Sequence, residues 1–204
     1  MFQEKREEPR NAPFPAVAGA GPFRGSEGPM ADGTRLGDNV ALTRGKILNP
    51  GLLNHYGAGD DDNPVLVMLA AGKGTRFGRE PKCIQLLHGK PLARYSIDAF
   101  RALGAKRVVC VVGYRYAEVS AALGTDNIYV RSANPTGGTA FAMFEAFSVS
   151  DLEERNPPLV ICMGDRAVPS TTFHRLRQAH GRGDGEAALT LLTAEYVPPA
   201  HRGK

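Results

Sequence analysis

The stretch VLVMLAAGKGTRFGREPK, residues 65–82, changes character halfway along. Val65 to Ala70 is an unbroken apolar run. It is too short for a helix and suits a strand covered on both faces, as in a parallel sheet. From Gly72 onward the text turns glycine-rich, with Gly72, Gly74 and Gly78 set among Lys73, Arg76, Arg79 and Lys82. A strand that runs into glycines can offer backbone N–H groups to an anion with no Cβ in the way. Two familiar phosphate loops are excluded. The P-loop needs Gly-Lys-Ser/Thr, whereas Gly78 is followed by Arg79-Glu80. The dinucleotide fingerprint breaks at Phe77, with Gly78 one place late. A third pattern, G-x-G-T-R with P-K some residues later, sets loop backbone around a nucleoside triphosphate while Arg and Lys take up phosphate charge. All of its parts are present.

Outward from this stretch, short apolar runs alternate with longer amphipathic ones. Strands are predicted at Val65–Ala70, 107–112, Ile128–Arg131, Leu159–Met163 and 187–193. The first, second and fourth are expected to be covered on both faces. Helices are predicted at 91–103, with Leu92, Ala99, Phe100 and Leu103 inward, and at Tyr116–Leu123. Two more are predicted, at 139–147 with Ala140, Met143, Phe144 and Phe147 inward, and at 171–180. The alternation implies an α/β domain, a Rossmann-like, doubly wound and mostly parallel sheet with right-handed crossovers. It occupies residues 63–204. Residues 1–62 are rich in Pro, Gly and charge, and read as a largely disordered N-terminal extension and linker, with a short helix or docked arm near 40–56.

The chain has 204 residues and a formal charge of +4. Residues 1–60 carry equal numbers of acidic and basic side chains, so the whole excess falls in the predicted domain. That suits a small anionic ligand and is too mild for nucleic acid. No apolar run approaches the roughly 20 residues of a membrane span, and no signal core opens the chain, so a cytoplasmic location is expected. The three cysteines, Cys83, Cys110 and Cys162, have no metal-site or disulfide spacing. Cys110 and Cys162 read as small core residues, and Cys83, beside the basic loop, as the accessible one. The five histidines show no ligand spacing.

The stretch LAAGKGTRFGREPK resembles the signature of nucleotidyltransferases of the sugar-1-phosphate and MobA-like NTP transferase type. The closest likeness is to the uridylyltransferase domain of N-acetylglucosamine-1-phosphate uridylyltransferases. Three further segments carry the resemblance in order. LLHGKPLARYSIDAFRALGAKRVVCVVGY (86–114) is similar to the family's turn–helix–strand. TGGTAFAM (136–143) is similar to its base- and sugar-reading turn. VICMGDRAVP (160–169) is similar to its strand ending in Gly-Asp.

The resemblance implies a nucleotide-diphospho-sugar transferase fold. It also implies transfer of NMP from an NTP to a phosphorylated acceptor, above all a sugar 1-phosphate, with release of pyrophosphate. Nucleotide binding is then expected from Leu69, Ala70, Ala71, Gly72, Gly74, Thr75, Arg76, Gly138 and Thr139. Arg76 and Lys82 are the catalytic cations, Arg76 toward pyrophosphate and Lys82 toward the α-phosphate and the acceptor. Asp165 is the ligand of Mg2+, a hard ion that takes one or two carboxylates plus phosphate oxygens. Thr139 doubles as an N-cap, and Asn134 is a candidate base contact. An oligomer is compatible with this reading. The family's domain continues beyond AEYVPPAHRGK with a second metal-binding Asp or Asn, so the domain is expected to be C-terminally truncated, which puts the activity of this chain alone in doubt. Two alternatives stay open: a non-catalytic nucleotide or sugar-phosphate binding module, and a cytidylyl or guanylyl transferase with a non-sugar acceptor.

Overall fold

The computed structural model describes residues 45–55, 63–74, 78, 80–149, 152, 156–182 and 189–193. In chain order the strands are β1 (Lys46–Ile47), β2 (Val65–Ala70), β3 (Leu86–Leu87), β4 (Lys90–Pro91), β5 (Val108–Val112), β6 (Ile128–Arg131) and β7 (Leu159–Met163). The helices are α1 (Leu92–Arg101), α2 (Tyr116–Leu123), α3 (Gly138–Ala146) and α4 (Ser170–Arg182). One sheet runs β1-β6-β5-β2-β7, and β3-β4 is a separate hairpin. β2 is parallel to both β5 and β7, β5 is parallel to β6, and within this sheet, among the described residues, only β1 is antiparallel.

The chain winds outward from β2 through β5 to β6, then crosses back to place β7 on the other side of β2. This is a doubly wound α/β sheet, and its winding reverses between β2 and β7. Ligands of such sheets bind beyond the carboxyl ends of the strands at that reversal.

The period-2 alternation of the strands sorts the core into two layers. Leu66, Met68 and Ala70 of β2, with Val108, Cys110 and Val112 of β5, face Ala93, Ile97 and Phe100 of α1 and Val119 and Leu123 of α2. Val65, Val67 and Leu69, with Val109, Val111, Ile128 and Val130, face Ala142 and Ala146 of α3, then Val149 and Leu152. Each fully buried Val or Leu here contributes about 1.5–3 kcal/mol by leaving water. α4 closes the first layer, with Phe173 edge-on to Phe100 at 5.6 Å.

Four expectations shift. The inward face of α1 is Ala93, Ser96, Ile97 and Phe100, because a polar Ser96 interrupts an otherwise apolar i, i+3, i+4, i+7 stripe; Leu92 is only partly buried. On α3 the buried residues are Ala142, Glu145 and Ala146, while Phe144 is exposed. The small alanines let α3 lie close to the sheet, and the Glu145 carboxylate accepts the Ala133 N–H at 2.6 Å. β7 is not covered on both faces: Ile161 and Met163 are 45% and 42% exposed, since β7 is the edge strand among the described residues. Leu189–Thr193 of the predicted strand 187–193 is not in a strand, and Leu189, Leu191 and Leu192 are exposed. Apolar, β-branched composition favours a strand only where a neighbour supplies a ladder, and no described neighbour does.

Residues 45–55, which belong to the extension predicted at 1–62, pack on the sheet. Asn49 donates to the Asn127 carbonyl at 2.7 Å and accepts the Tyr129 N–H at 2.9 Å, pinning β1 and the turn Pro50–His55 against β6. The rest of 1–62 lies outside the described residues, as does the stretch after 193. No helix among the described residues is long and apolar enough to cross a membrane.

Candidate functional site

β2 ends at Ala70, and its chain continues through Ala71 and Gly72 to Gly74, where φ is +60°. Pro81 then opens a single 3-10 turn, Lys82–Ile84, closed by Gln85 N–H on the Lys82 carbonyl at 3.1 Å. The turn brings the Lys82 stem back beside the loop: a Cβ on Gly74 would stand 3.2 Å from Lys82 Cγ. The β3–β4 hairpin follows, with His88 and Gly89 both at positive φ, as a two-residue turn between right-twisted strands requires.

Asp165 arrives from β7. Leu69 and Met163 are register partners, and the Gly164 N–H extends that ladder to the Leu69 carbonyl at 2.9 Å. Arg166 N–H then turns back onto the Met163 carbonyl at 3.2 Å. Asp165 therefore sits at the tip of a tight turn directly beyond the reversal point of the sheet.

The two strand ends enclose a cavity of about 220 Å³, lined by Leu69, Ala70, Gly72, Gly74, Lys82, Cys83, Met163 and Asp165. One lysine, one aspartate and two glycines thus line a common space. Ala71 is buried and stands just outside the lining, accepting the Tyr114 N–H at 3.1 Å. Thr75 and Arg76 lie outside the described residues. Gly138 and Thr139 do not line the cavity. They start α3, with Gly138 at φ +88°, a conformation only glycine adopts without strain. Thr139 is exposed inside the first turn, and Gly137 rather than Thr139 is the N-cap residue. Asn134 Oδ1 accepts from the Thr136 N–H and hydroxyl at 3.2 and 2.8 Å, so that oxygen serves the turn itself.

Gly113 joins the two regions. A Cβ there would stand 2.6 Å from the Ala71 carbonyl oxygen and 2.9 Å from Pro135 Cβ. The loop after β2 and the turn before α3 are therefore packed against the same bare backbone. Gly113→Ala is expected to cost about 1–3 kcal/mol of stability, because backbone on one side and a proline ring on the other leave the methyl nowhere to go. A lowered urea midpoint at unchanged slope checks it; a midpoint equal to wild type refutes it.

Cys83 is buried rather than accessible, and burial pushes its thiol up to about 11. Burial likewise raises Cys162. Asp165 is the one carboxylate donor among the cavity's described lining residues. No group of three or more His, Cys, Asp or Glu side chains gathers among the described residues. That donor set fits Mg2+, which is held through one or two carboxylates with the balance of its shell from phosphate oxygens and water. It does not fit a closed zinc site. Arg166 lies 3.7 Å from Asp165 and is largely exposed, so it is a loose partner that leaves the carboxylate available.

Three contributors escaped the sequence: Gly113, Ser96 and Glu145 are not among the residues it singles out. A serine or glutamate inside an apolar helical stripe is the signal that marks the last two.

Residues 66–201 match the model of the MobA-like NTP transferase domain family. The chain is 36% identical over 145 residues to Bifunctional protein GlmU of Bacillus cereus (strain AH187), covering 70% of this chain and 30% of that protein. It is 35% identical over 145 residues to Bifunctional protein GlmU of Bacillus mycoides (strain KBAB4), with the same coverage. The chain thus spans under a third of the length of these curated relatives. Among solved structures, a nucleotidyl transferase from Methanothermobacter thermautotroptrophicus is 24% identical over 57% of each chain, with a TM-score of 0.47.

Proposed function

The chain belongs to the MobA-like NTP transferase domain family, and from that premise we propose that it transfers NMP from an NTP to a phosphorylated acceptor, a sugar 1-phosphate, in a Mg2+-dependent reaction that releases pyrophosphate. The observation that carries this reading is the single cavity onto which Gly72, Gly74, Lys82 and Asp165 converge. The backbone after β2 receives the triphosphate, and Lys82 lies along the same wall. An acceptor phosphate oxygen attacks the α-phosphorus, and the bond to the β-phosphate oxygen breaks in line. The acceptor is already an anion, so no general base is needed. The work left to the protein is orientation and the offset of repulsion between two anions. Lys82 supplies a compact positive charge for that purpose, and Arg76, on the same loop in sequence, is assigned to the leaving pyrophosphate. Asp165 holds Mg2+, which when bound neutralises charge on the phosphate oxygens.

Calorimetric titration of UTP, CTP, GTP and ATP into the chain, with Mg2+ and with EDTA, tests the reading and identifies the base. One NTP is expected to bind, more tightly with Mg2+, and to yield pyrophosphate when sugar 1-phosphates are added. Binding that is indifferent to Mg2+ and never followed by turnover would replace the enzyme with a nucleotide-binding module.

A further inference from the structure

Ser96 is fully buried, in the middle of the inward face of α1. A serine inside a helix usually turns its hydroxyl back onto its own preceding turn. Ser96 instead reaches across the domain. Its Oγ donates to the Arg166 carbonyl at 2.8 Å and accepts the Val168 N–H at 2.9 Å. One hydroxyl therefore ties both ends of the peptide run that leaves Asp165. On the other side, Asp165 is fixed by Gly164 on the Leu69 carbonyl and by Arg166 on the Met163 carbonyl. The carboxylate rides on a turn anchored to β2 in front and to α1 behind.

We infer that Ser96 is a positioning residue that sets the direction in which Asp165 enters the cavity, and hence the strength with which the site takes a divalent cation; this rests on the reading of Asp165 as the metal-holding carboxylate. The hydroxyl touches neither the metal nor the nucleotide. It acts by denying residues 166–168 any other backbone path. Alanine at 96 leaves the Arg166 carbonyl and the Val168 N–H without that anchor, and the turn can swing with Asp165 on it. Groups that orient a metal ligand typically change affinity 10- to 100-fold when removed.

The test uses the full chain with Mn2+ in place of Mg2+ and each of UTP, CTP, GTP and ATP in turn, read as enhancement of water-proton relaxation. Ser96→Ala is expected to raise the Mn2+ midpoint about tenfold, with NTP binding in EDTA unchanged. Ile97→Val thins the same buried face without touching the anchors of the turn, and is expected to lower Tm while keeping the wild-type midpoint. Ser96→Cys, close in volume and a weaker hydrogen-bonding group, moves the midpoint in the same direction and serves if the alanine variant does not fold. A wild-type midpoint in the Ser96 variants, or an equal shift in Ile97→Val, overturns the inference. Asp165→Ala run alongside separates the two levels. If it abolishes the enhancement while the Ser96 variants keep the wild-type midpoint, only the role of Ser96 falls. If it leaves the midpoint unchanged, the metal reading of Asp165 falls as well.

Discussion

Asp165→Ala is expected to lower kcat for pyrophosphate release by at least about 10²–10³-fold, while binding of the NTP in EDTA survives. The cavity has one carboxylate among its described lining residues, and it stands where β7 and β2 part. Magnesium takes few protein ligands, so losing that one removes the protein's hold on the ion and leaves it to wander with the phosphates. On the proposed reading the nucleotide is met at Gly72 and Gly74, which line the same cavity and which the substitution does not touch. A split between lost turnover and retained metal-free binding is therefore the signature. Continuous assay of pyrophosphate at saturating Mg2+ measures it, and a variant within threefold of wild type would remove Asp165 from the chemistry.

Lys82→Ala is the second large effect, a loss of about 10²–10³ in kcat/KM. The amine belongs to a half-buried side chain whose stem lies along Gly74, so it is delivered to the cavity by the turn Lys82–Ile84 rather than reaching in from bulk water. A cation held that way costs little reorganisation when charge moves in the transition state. Lys82→Arg should recover only part of the loss, because a planar fork is longer and spreads its charge over a different geometry. Comparable kcat/KM for wild type and Lys82→Ala would show that Lys82 is an ordinary surface cation.

Much of this was readable in the residues, for identifiable reasons. Val65–Ala70 and Val108–Val112 are uniformly apolar because both faces are covered, although the same pattern at Leu159–Met163 falls on an edge strand. That Gly72, Gly74, Lys82 and Asp165 line one cavity agrees with the sequence, which grouped the first three on the loop after β2 and set the fourth at the end of another strand. What composition could not convey is who meets whom. Gly113 matters through Ala71 and Pro135, neither of them near it in sequence. Ser96 matters through Arg166 and Val168, roughly 70 positions on. The inward faces of α1 and α3 were misplaced because each includes a polar residue, Ser96 and Glu145, that an apolar stripe leaves out. Leu189–Thr193, the described part of the strand predicted at 187–193, is not in a strand, because apolar text carries no information about whether a neighbouring ladder exists.

The parallel pairing of β2 with β7 also fixes when the site can come into being. The two walls of the cavity belong to segments that leave the ribosome far apart in time, and parallel neighbours cannot be zipped by a local hairpin. Until Leu159–Met163 emerges, β2 has a vacant side and the glycine loop has no opposing carboxylate. The nascent chain can therefore complete β5, β6 and their helices early, but the two walls of the cavity meet only when β7 slides in beside β2.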